Sequence, residues 1–136
     1  MAESTVFEYK LKIRESHLDT FGHVNNAIYL SLFEEARWEI ITERGFGLKQ
    51  IQERQVGPII LDVKVQFRRE IKNRENVLIR TQANPLNDKI ASIKQIMLNE
   101  KREEACIAEF TVGLFDMKAR RLIPPTQEWR DALGMV

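Results

Sequence analysis

Two hydrophobic periods occur along the chain, and each predicts a different kind of element. From Val6 to Arg14 apolar and aromatic residues alternate with charged ones, the period-two pattern of a strand with one buried face. Residues 15–25 break the alternation and contain Gly22, so they predict a loop. From Ala27 onward apolar residues recur at intervals of three or four, the stripe of an amphipathic helix: Tyr29, Leu32, Phe33, Ala36, Ile40 and Ile41.

Both ends of this predicted helix carry capping signals. Asn25 or Asn26 stands at the N-terminus, where a side-chain oxygen can accept a hydrogen bond from an unpaired first-turn amide. Gly45 follows the last apolar position, where helices commonly end in a left-handed residue. The pattern therefore predicts a helix from about residue 27 to residue 44, the one long helix of the chain.

After a loop through Gly57 and Pro58 the chain returns to period two and predicts strands. Four segments carry the pattern: residues 59–68, 76–83, 90–98 and 105–116. In the first segment the alternation assigns one face to Ile59, Leu61, Val63, Val65 and Phe67. Pro124 and Pro125 end the pattern, and residues 126–133 predict a short terminal helix.

This order of elements predicts an α+β fold in a single domain over residues 1–136, with about five strands and one long helix. The short connections require antiparallel pairing, because parallel neighbours need a crossover of a dozen or more residues. The sheet is expected to curl around the helix, the available cover for its apolar face. Such a sheet has open edges, which pairing of two subunits would remove.

Composition narrows the possible partners and location. The 21 Lys and Arg nearly balance the 20 Asp and Glu, so no overall positive field favours nucleic acid. No apolar run approaches the roughly 20 residues that span a bilayer, and the N-terminal residues lack the apolar region of a signal peptide. The single cysteine, Cys106, cannot form an intramolecular disulfide, and its apolar strand favours a core role. We therefore expect a cytoplasmic protein.

The segment from residue 18 to residue 37 carries a motif. It reads D-x-x-G-H-V-N-N-A-x-Y-L from Asp19 to Leu30, followed by F-E-E-A-R at residues 33–37. This motif, with the F-R-R-E-I stretch at residues 67–71, resembles the 4-hydroxybenzoyl-CoA thioesterase family of hot-dog proteins. The resemblance implies a helix wrapped by an antiparallel sheet, and homodimers with a continuous sheet that often form homotetramers. It also implies acyl-CoA hydrolysis at the dimer interface, with no metal and no cofactor beyond the CoA of the substrate.

The same resemblance assigns the catalytic carboxylate to Asp19. Many relatives have a second acid two residues earlier, where this chain has His17. General chemistry agrees with the assignment, because the unpaired amides of a helix that begins near residues 26–28 can stabilise an oxyanion. Asp19 can then attack the thioester carbonyl or activate a water, and the sequence leaves both routes open.

Several residues near Asp19 have both a substrate role and a structural alternative. The substrate and oxyanion region is assigned to His23, Asn25, Asn26, Ala27 and Glu35. His23 and the two asparagines can equally shape the loop and cap the helix. Glu34 and Glu35 can be solvated or ion-paired helix residues, or one of them can line the site across the dimer interface. The CoA phosphates call for basic side chains, and the candidates are Arg68, Arg69, Lys118, Arg120 and Arg121.

Two other functions are compatible with the predicted fold. A hot-dog hydratase would use an aspartate and a histidine, typically in D-x-N-P-x-H, whereas Asp19 and His23 lack the Asn-Pro and are one residue closer. A non-enzymatic protein that binds acyl-CoA or an acyl carrier is the other alternative. The sequence leaves open the acyl group, the thiol carrier and the choice between dimer and tetramer.

Overall fold

The computed structural model describes residues 3–135, so residues 1, 2 and 136 of the predicted domain lie outside the described range. The chain forms the strands β1 (Val6–Lys12), β2 (Val56–Phe67), β3 (Asn76–Pro85), β4 (Ile90–Leu98), β5 (Glu104–Asp116) and β6 (Arg121–Ile123). Its α-helices are α1 (Asn26–Glu43), α2 (Leu48–Arg54) and α3 (Gln127–Ala132), and a single 3-10 turn covers Glu15–His17.

One antiparallel sheet carries the fold. Its strand order is β1-β3-β4-β5-β2, and β6 pairs with the end of β5. The apolar stripe of α1 packs on the inner face of this sheet, where the ring of Phe33 meets the ring of Phe110 edge to face at 6.4 Å between centroids. The predicted α+β arrangement of one long helix against an antiparallel sheet is confirmed.

The helix α1 has the boundaries that its capping residues encode. Asn25 is the N-cap, and its side-chain Oδ1 accepts a hydrogen bond from the Ala27 N–H at 2.9 Å. Past the other end, Gly45 has φ +85°, which glycine adopts without the steric cost that a Cβ brings. All six residues of the predicted apolar stripe are buried.

Two short elements were missed. The helix α2 lies in the segment after α1 that was predicted to be a loop. The sequence pattern did not reveal this helix, because its single buried residue, Ile51, gives no repeating apolar stripe. Ile51 packs against Gly57, where an added Cβ would come within 2.7 Å of its Cγ2. The strand β6 has only three residues, too few for a visible alternation. Smaller differences are at strand ends, since β1 stops at Lys12 and β2 already begins at Val56.

The predicted face of β2 is wrong for its first half. A β-bulge between Ile60 and Asp62 inserts Leu61 as an extra residue, and such an insertion exchanges the two faces of a strand. The residues that pair with the buried positions of β5 are Pro58, Ile60, Val63, Val65 and Phe67. Pro58 and Ile60 therefore face α1, and the predicted Ile59 and Leu61 do not.

The strand β2 is also an edge of the sheet. Its outer side has no neighbouring strand in residues 3–135, yet Ile60, Leu61 and Phe67 are 42%, 47% and 52% exposed. An apolar edge strand with free backbone hydrogen-bonding groups is a template for pairing with another chain. The opposite edge, β1, carries charged residues at alternate positions on its exposed side.

Candidate active site

A tight hairpin positions Asp19 beside the start of α1. Leu18 and Val24 form an antiparallel bridge, and the Asp19 N–H donates to the His23 carbonyl at 2.8 Å. The turn closes through Gly22, whose N–H donates to the Asp19 carbonyl at 3.1 Å and whose φ of +80° favours glycine. The G-H-V-N-N part of the motif thus forms the return strand of the hairpin and the helix cap.

The carboxylate of Asp19 is held by one of its oxygens. Oδ1 accepts hydrogen bonds from the Phe21 N–H at 2.9 Å and from the His23 N–H at 3.2 Å. Oδ2 takes no part in these two hydrogen bonds. Asp19 therefore shapes its own loop by accepting local backbone hydrogen bonds, and it also lies in a cleft. The loop fixes the orientation of the carboxylate and leaves its second oxygen for chemistry.

The first turn of α1 narrows the choice of oxyanion donors predicted at residues 26–28. The Ala27 N–H donates to Asn25 Oδ1, and the Ile28 N–H donates to the Asn25 carbonyl at 2.9 Å. Both amides are thus engaged within the cap. The Asn26 N–H has no part in these bonds and lies at the positive end of the helix dipole. Of the three amides, that of Asn26 is the best candidate donor.

The cap itself makes a testable contribution to stability. Replacing Asn25 by Ala removes the acceptor for the Ala27 amide, and we expect a loss of about 1 kcal/mol in the free energy of unfolding. Asn25→Asp keeps an acceptor at this position and should retain most of the stability. Thermal or urea unfolding measures both changes, and Thr126→Ala, which removes the cap of α3, is the matched control far from the site. Equal stability of Asn25→Ala and wild type would contradict the capping role.

A cleft of about 300 Å³ contains Asp19, His23 and Asn26. Its wall is completed by Val24, Tyr29, Phe67, Arg68, Arg69 and Glu70. Three of these wall residues, Tyr29, Phe67 and Glu70, contact other residues of the cleft. His23 Nε2 lies 3.2 Å from Glu70 Oε2, and the rings of Tyr29 and Phe67 are in tilted contact, with 5.4 Å between their centroids and 59° between their planes.

Tyr29 brings a neutral hydroxyl to this cleft. Burial raises the pKa of Tyr29 to about 12, so the phenol is protonated at neutral pH and can donate a hydrogen bond. The helical spacing predicted a core residue, and the ring is indeed 4% exposed, but the residue also lines the cleft. Tyr29 and Glu70 are the residues that sequence reasoning missed. Both lie inside the quoted motifs, which was the available signal.

Some predicted residues do not join this cleft. The carboxylate of Glu35 accepts a hydrogen bond from the Tyr9 hydroxyl on the β1 side of α1, and this bond is the main reason that the pKa of Tyr9 rises to about 12. Glu35 therefore does not line the cleft of its own subunit, and its assignment to the substrate region stays a prediction. Its neighbour Glu34 lines a different pocket, on the β2 side of the helix.

The two predicted basic groups lie at opposite ends of the sheet. Arg68 and Arg69 line the cleft, and their N–H groups donate to the Ala105 carbonyl at the start of β5. Lys118, Arg120 and Arg121 follow the other end of β5, where Arg121 pairs with Asp116. Eleven residues of extended chain, about 36 Å, separate Ala105 from Asp116. Within one subunit the second group cannot reach the cleft.

Cys106 is a residue of the hydrophobic core. Cys106 is fully buried on the inner face of β5, and burial raises the pKa of its thiol to about 12, which removes it as a nucleophile. Among residues 3–135 no group of three or more His, Cys, Asp or Glu side chains is arranged to hold a metal. In the same part of the chain, no helix combines the length and the apolar character needed to cross a membrane.

The fold and the site together define a class of protein. A long helix packed on an antiparallel sheet is the arrangement of the hot-dog thioesterases, which hydrolyse thioesters, and in this chain a carboxylate and the helix N-terminus lie in one cleft. The chain belongs to the thioesterase-like superfamily, whose family model matches residues 13–133. The predicted fold, family and thioester hydrolase class are confirmed.

Known proteins resemble the chain over nearly its whole length. Long-chain acyl-CoA thioesterase FadM of Escherichia coli K12 is 27% identical over 125 residues, which cover 91% of this chain and 94% of FadM. The structure of YbaW, a probable thioesterase from Escherichia coli, has a TM-score of 0.81 at 26% identity, with 93% and 96% covered. Slr0204, a 1,4-dihydroxy-2-naphthoyl-CoA thioesterase from Synechocystis, has the same fold, with a TM-score of 0.87 at 14% identity and 95% and 96% covered.

Proposed function

We propose that this protein hydrolyses the thioester of an acyl- or aroyl-CoA to the free acid and CoA. The observation that carries the proposal is the cleft in which the carboxylate of Asp19 and the first-turn amide of Asn26 occur together, in a chain of the thioesterase-like superfamily. FadM is an acyl-CoA thioesterase and supports this class of substrate.

In the proposed reaction the Asn26 amide and the Asp19 carboxylate have different roles. The Asn26 N–H binds the carbonyl oxygen and stabilises the negative charge that develops on it. The Asp19 carboxylate then either attacks the carbonyl carbon to form an anhydride or removes a proton from an attacking water. In both routes the tetrahedral intermediate expels the CoA thiolate, which takes up a proton. In the anhydride route a water then cleaves the anhydride, which releases the acid and regenerates the Asp19 carboxylate. In both routes water is the only reactant besides the thioester.

The proposed active form is a homodimer joined through β2. Two copies of this edge strand that pair antiparallel about a twofold axis extend the sheet and cover its exposed apolar residues. The cleft contains Phe67 from the end of β2, so the second copy would close one of its sides. An open cleft on the surface of a single chain thereby becomes a bounded site that is shielded from bulk solvent.

Twofold pairing also explains the two separated basic groups. Antiparallel pairing places the Phe67 end of one β2 beside the Val56 end of the other. Because Asp116 pairs with Val56, the turn that carries Lys118 and Arg120 in the second copy would approach the cleft of the first. Arg68 and Arg69 of one subunit and this turn of the other can then share the CoA phosphates. Arg68 is the better candidate of its pair, since Arg69 forms an ion pair with Glu103 at 3.3 Å.

A substrate panel with detection of free thiol tests the proposal. The panel contains aliphatic CoA esters of increasing length and several aroyl-CoA esters, and we expect release of CoA from at least one of them. Loss of enoyl absorbance without release of thiol would instead indicate a hydratase. Tight binding of acyl-CoA without turnover would indicate the non-enzymatic alternative. Parallel assays with acyl carrier protein esters identify the thiol carrier.

A further inference from the structure

A second pocket lies between α1, the sheet and α3, on the β2 side of the molecule. It has a volume of about 110 Å³ and a predominantly apolar lining. Its apolar residues come from all three layers: Trp38, Ile41, Pro58, Ile60, Ile93, Val112, Trp129 and Leu133. The β-bulge in β2 contributes to it, because the bulge turns Pro58 and Ile60 toward the helix.

Two charged side chains, Arg37 and Glu34, interrupt this apolar lining, and the guanidinium of Arg37 has defined partners. It donates from Nη1 to Gln95 Oε1 at 2.8 Å and lies 4.2 Å from the centroid of the Phe110 ring. Gln95 is itself fully buried and is fixed from its other end, where Nε2 donates to the Phe33 carbonyl and to Thr81 Oγ1, both at 3.0 Å. The guanidinium is thus held in one orientation by groups that are already satisfied.

Arg37 has an unused capacity for hydrogen bonds. A guanidinium carries five N–H donors, and within residues 3–135 Arg37 forms no ion pair with a carboxylate. Burial lowers the pKa of Arg37 from its usual value, but an arginine keeps its charge at neutral pH. Glu34, one helical turn earlier, lines the same pocket without pairing with it. Within residues 3–135 the bond to Gln95 Oε1 is the one hydrogen bond of this guanidinium, so its other donors can bind a further acceptor.

We propose that Arg37 selects acyl groups that carry a hydrogen-bond-accepting oxygen away from the thioester. The inference rests on the proposed function and specifies its substrate class. Arg37 follows Asn26 by eleven residues, about 16 Å along α1, which is within reach of an acyl chain of medium length. The cleft and the pocket both lie between α1 and β2 of the same subunit, since the cleft contains Tyr29 and Phe67 and the pocket contains Ile41 and Pro58. The negative charge of Glu34 favours a neutral oxygen over a carboxylate.

Matched thioesters test this role of Arg37. CoA esters of eight to twelve carbons are compared in three forms, with a terminal methyl, hydroxyl or carboxyl group. We expect wild type to prefer the hydroxyl form at one or more lengths by about ten-fold in kcat/KM, the effect of one hydrogen bond to a charged group. Arg37→Met, which keeps the length and removes the donors, should abolish this preference, so that the variant hydrolyses the hydroxyl and methyl forms with equal kcat/KM.

The remaining outcomes also decide the question. A preference for the carboxyl form that Arg37→Met abolishes supports the same role of Arg37 and identifies the anion as the preferred oxygen. An unchanged preference in Arg37→Met, no preference at any length, or an equal loss for all three forms would overturn the proposal, the last because it indicates a structural role only. Binding of non-hydrolysable thioether analogues, measured by calorimetry, gives the same comparison. It therefore separates failure of hydrolysis from failure of the Arg37 assignment.

Discussion

Asp19→Asn is expected to lower kcat/KM for the preferred acyl-CoA by about a thousand-fold, within the range of 10² to 10⁴ that a lost base contributes. The amide keeps an Oδ1 acceptor for the Phe21 and His23 amides, so the loop keeps its hydrogen bonds. The substitution removes only the negative charge and the basicity of the second oxygen. Thiol release at saturating and limiting substrate, with the unfolding midpoint measured in parallel, separates chemistry from folding.

A matched variant shows whether the loss of one negative charge anywhere on the protein lowers the activity. Asp88→Asn makes the same chemical change in the exposed turn between β3 and β4, far along the chain from the cleft. We expect it to retain the activity of wild type. If Asp19→Asn kept full kcat/KM for every substrate that wild type hydrolyses, Asp19 would be a loop-shaping residue only and another group would have to carry the reaction.

Val63→Lys is expected to separate the dimer and to abolish most of its activity. Val63 lies on the exposed edge strand at 38% exposure, close to the centre of β2, so twofold pairing brings the new lysine near its own copy. Like charges in contact across an interface cost several kcal/mol, which weakens the dimer by about 100-fold or more. Sedimentation velocity measures the assembly, and thiol release measures the activity at the same protein concentration.

The opposite edge of the sheet supplies the control for this experiment. Val6→Lys introduces the same side chain on β1, at a valine that is 51% exposed, and should change neither the assembly nor the turnover. Leu61→Lys provides a second test at β2, because the bulge keeps Leu61 from facing α1 and its replacement should not disturb the core. A monomeric wild type with full activity, or dimers that persist in both β2 variants, would contradict pairing through this strand.

The sequence by itself determined the parts of the site whose interactions are local. The cap of α1 is an example, because Asn25 and Ala27 lie two residues apart and their hydrogen bond needs no distant partner. The hairpin around Asp19 is another, since Gly22 and the two amides that hold the carboxylate lie within four residues of it. Such features repeat wherever the same short segment occurs, so a motif can encode them.

The apolar stripe of α1 and the alternation of β3 to β5 were equally accessible to sequence reasoning. In both cases one periodicity continues over a whole element, and burial of that stripe against a single neighbour is the stable solution. Short elements gave no such signal. The helix α2 has one buried residue, and only its packing against Gly57 shows why it forms.

Only the tertiary structure decided what meets at the cleft and what lies away from it. Glu35 was assigned by its position in the motif, but Tyr9, 26 residues earlier, holds it on the other side of α1. The contact of His23 Nε2 with Glu70 Oε2 and the contact of Tyr29 with Phe67 likewise join residues far apart in sequence. The bulge at Leu61 decided which half of β2 faces the helix. The spacing of apolar residues within one segment does not predict these contacts, because each of them forms only when the folded sheet brings residues from distant segments together.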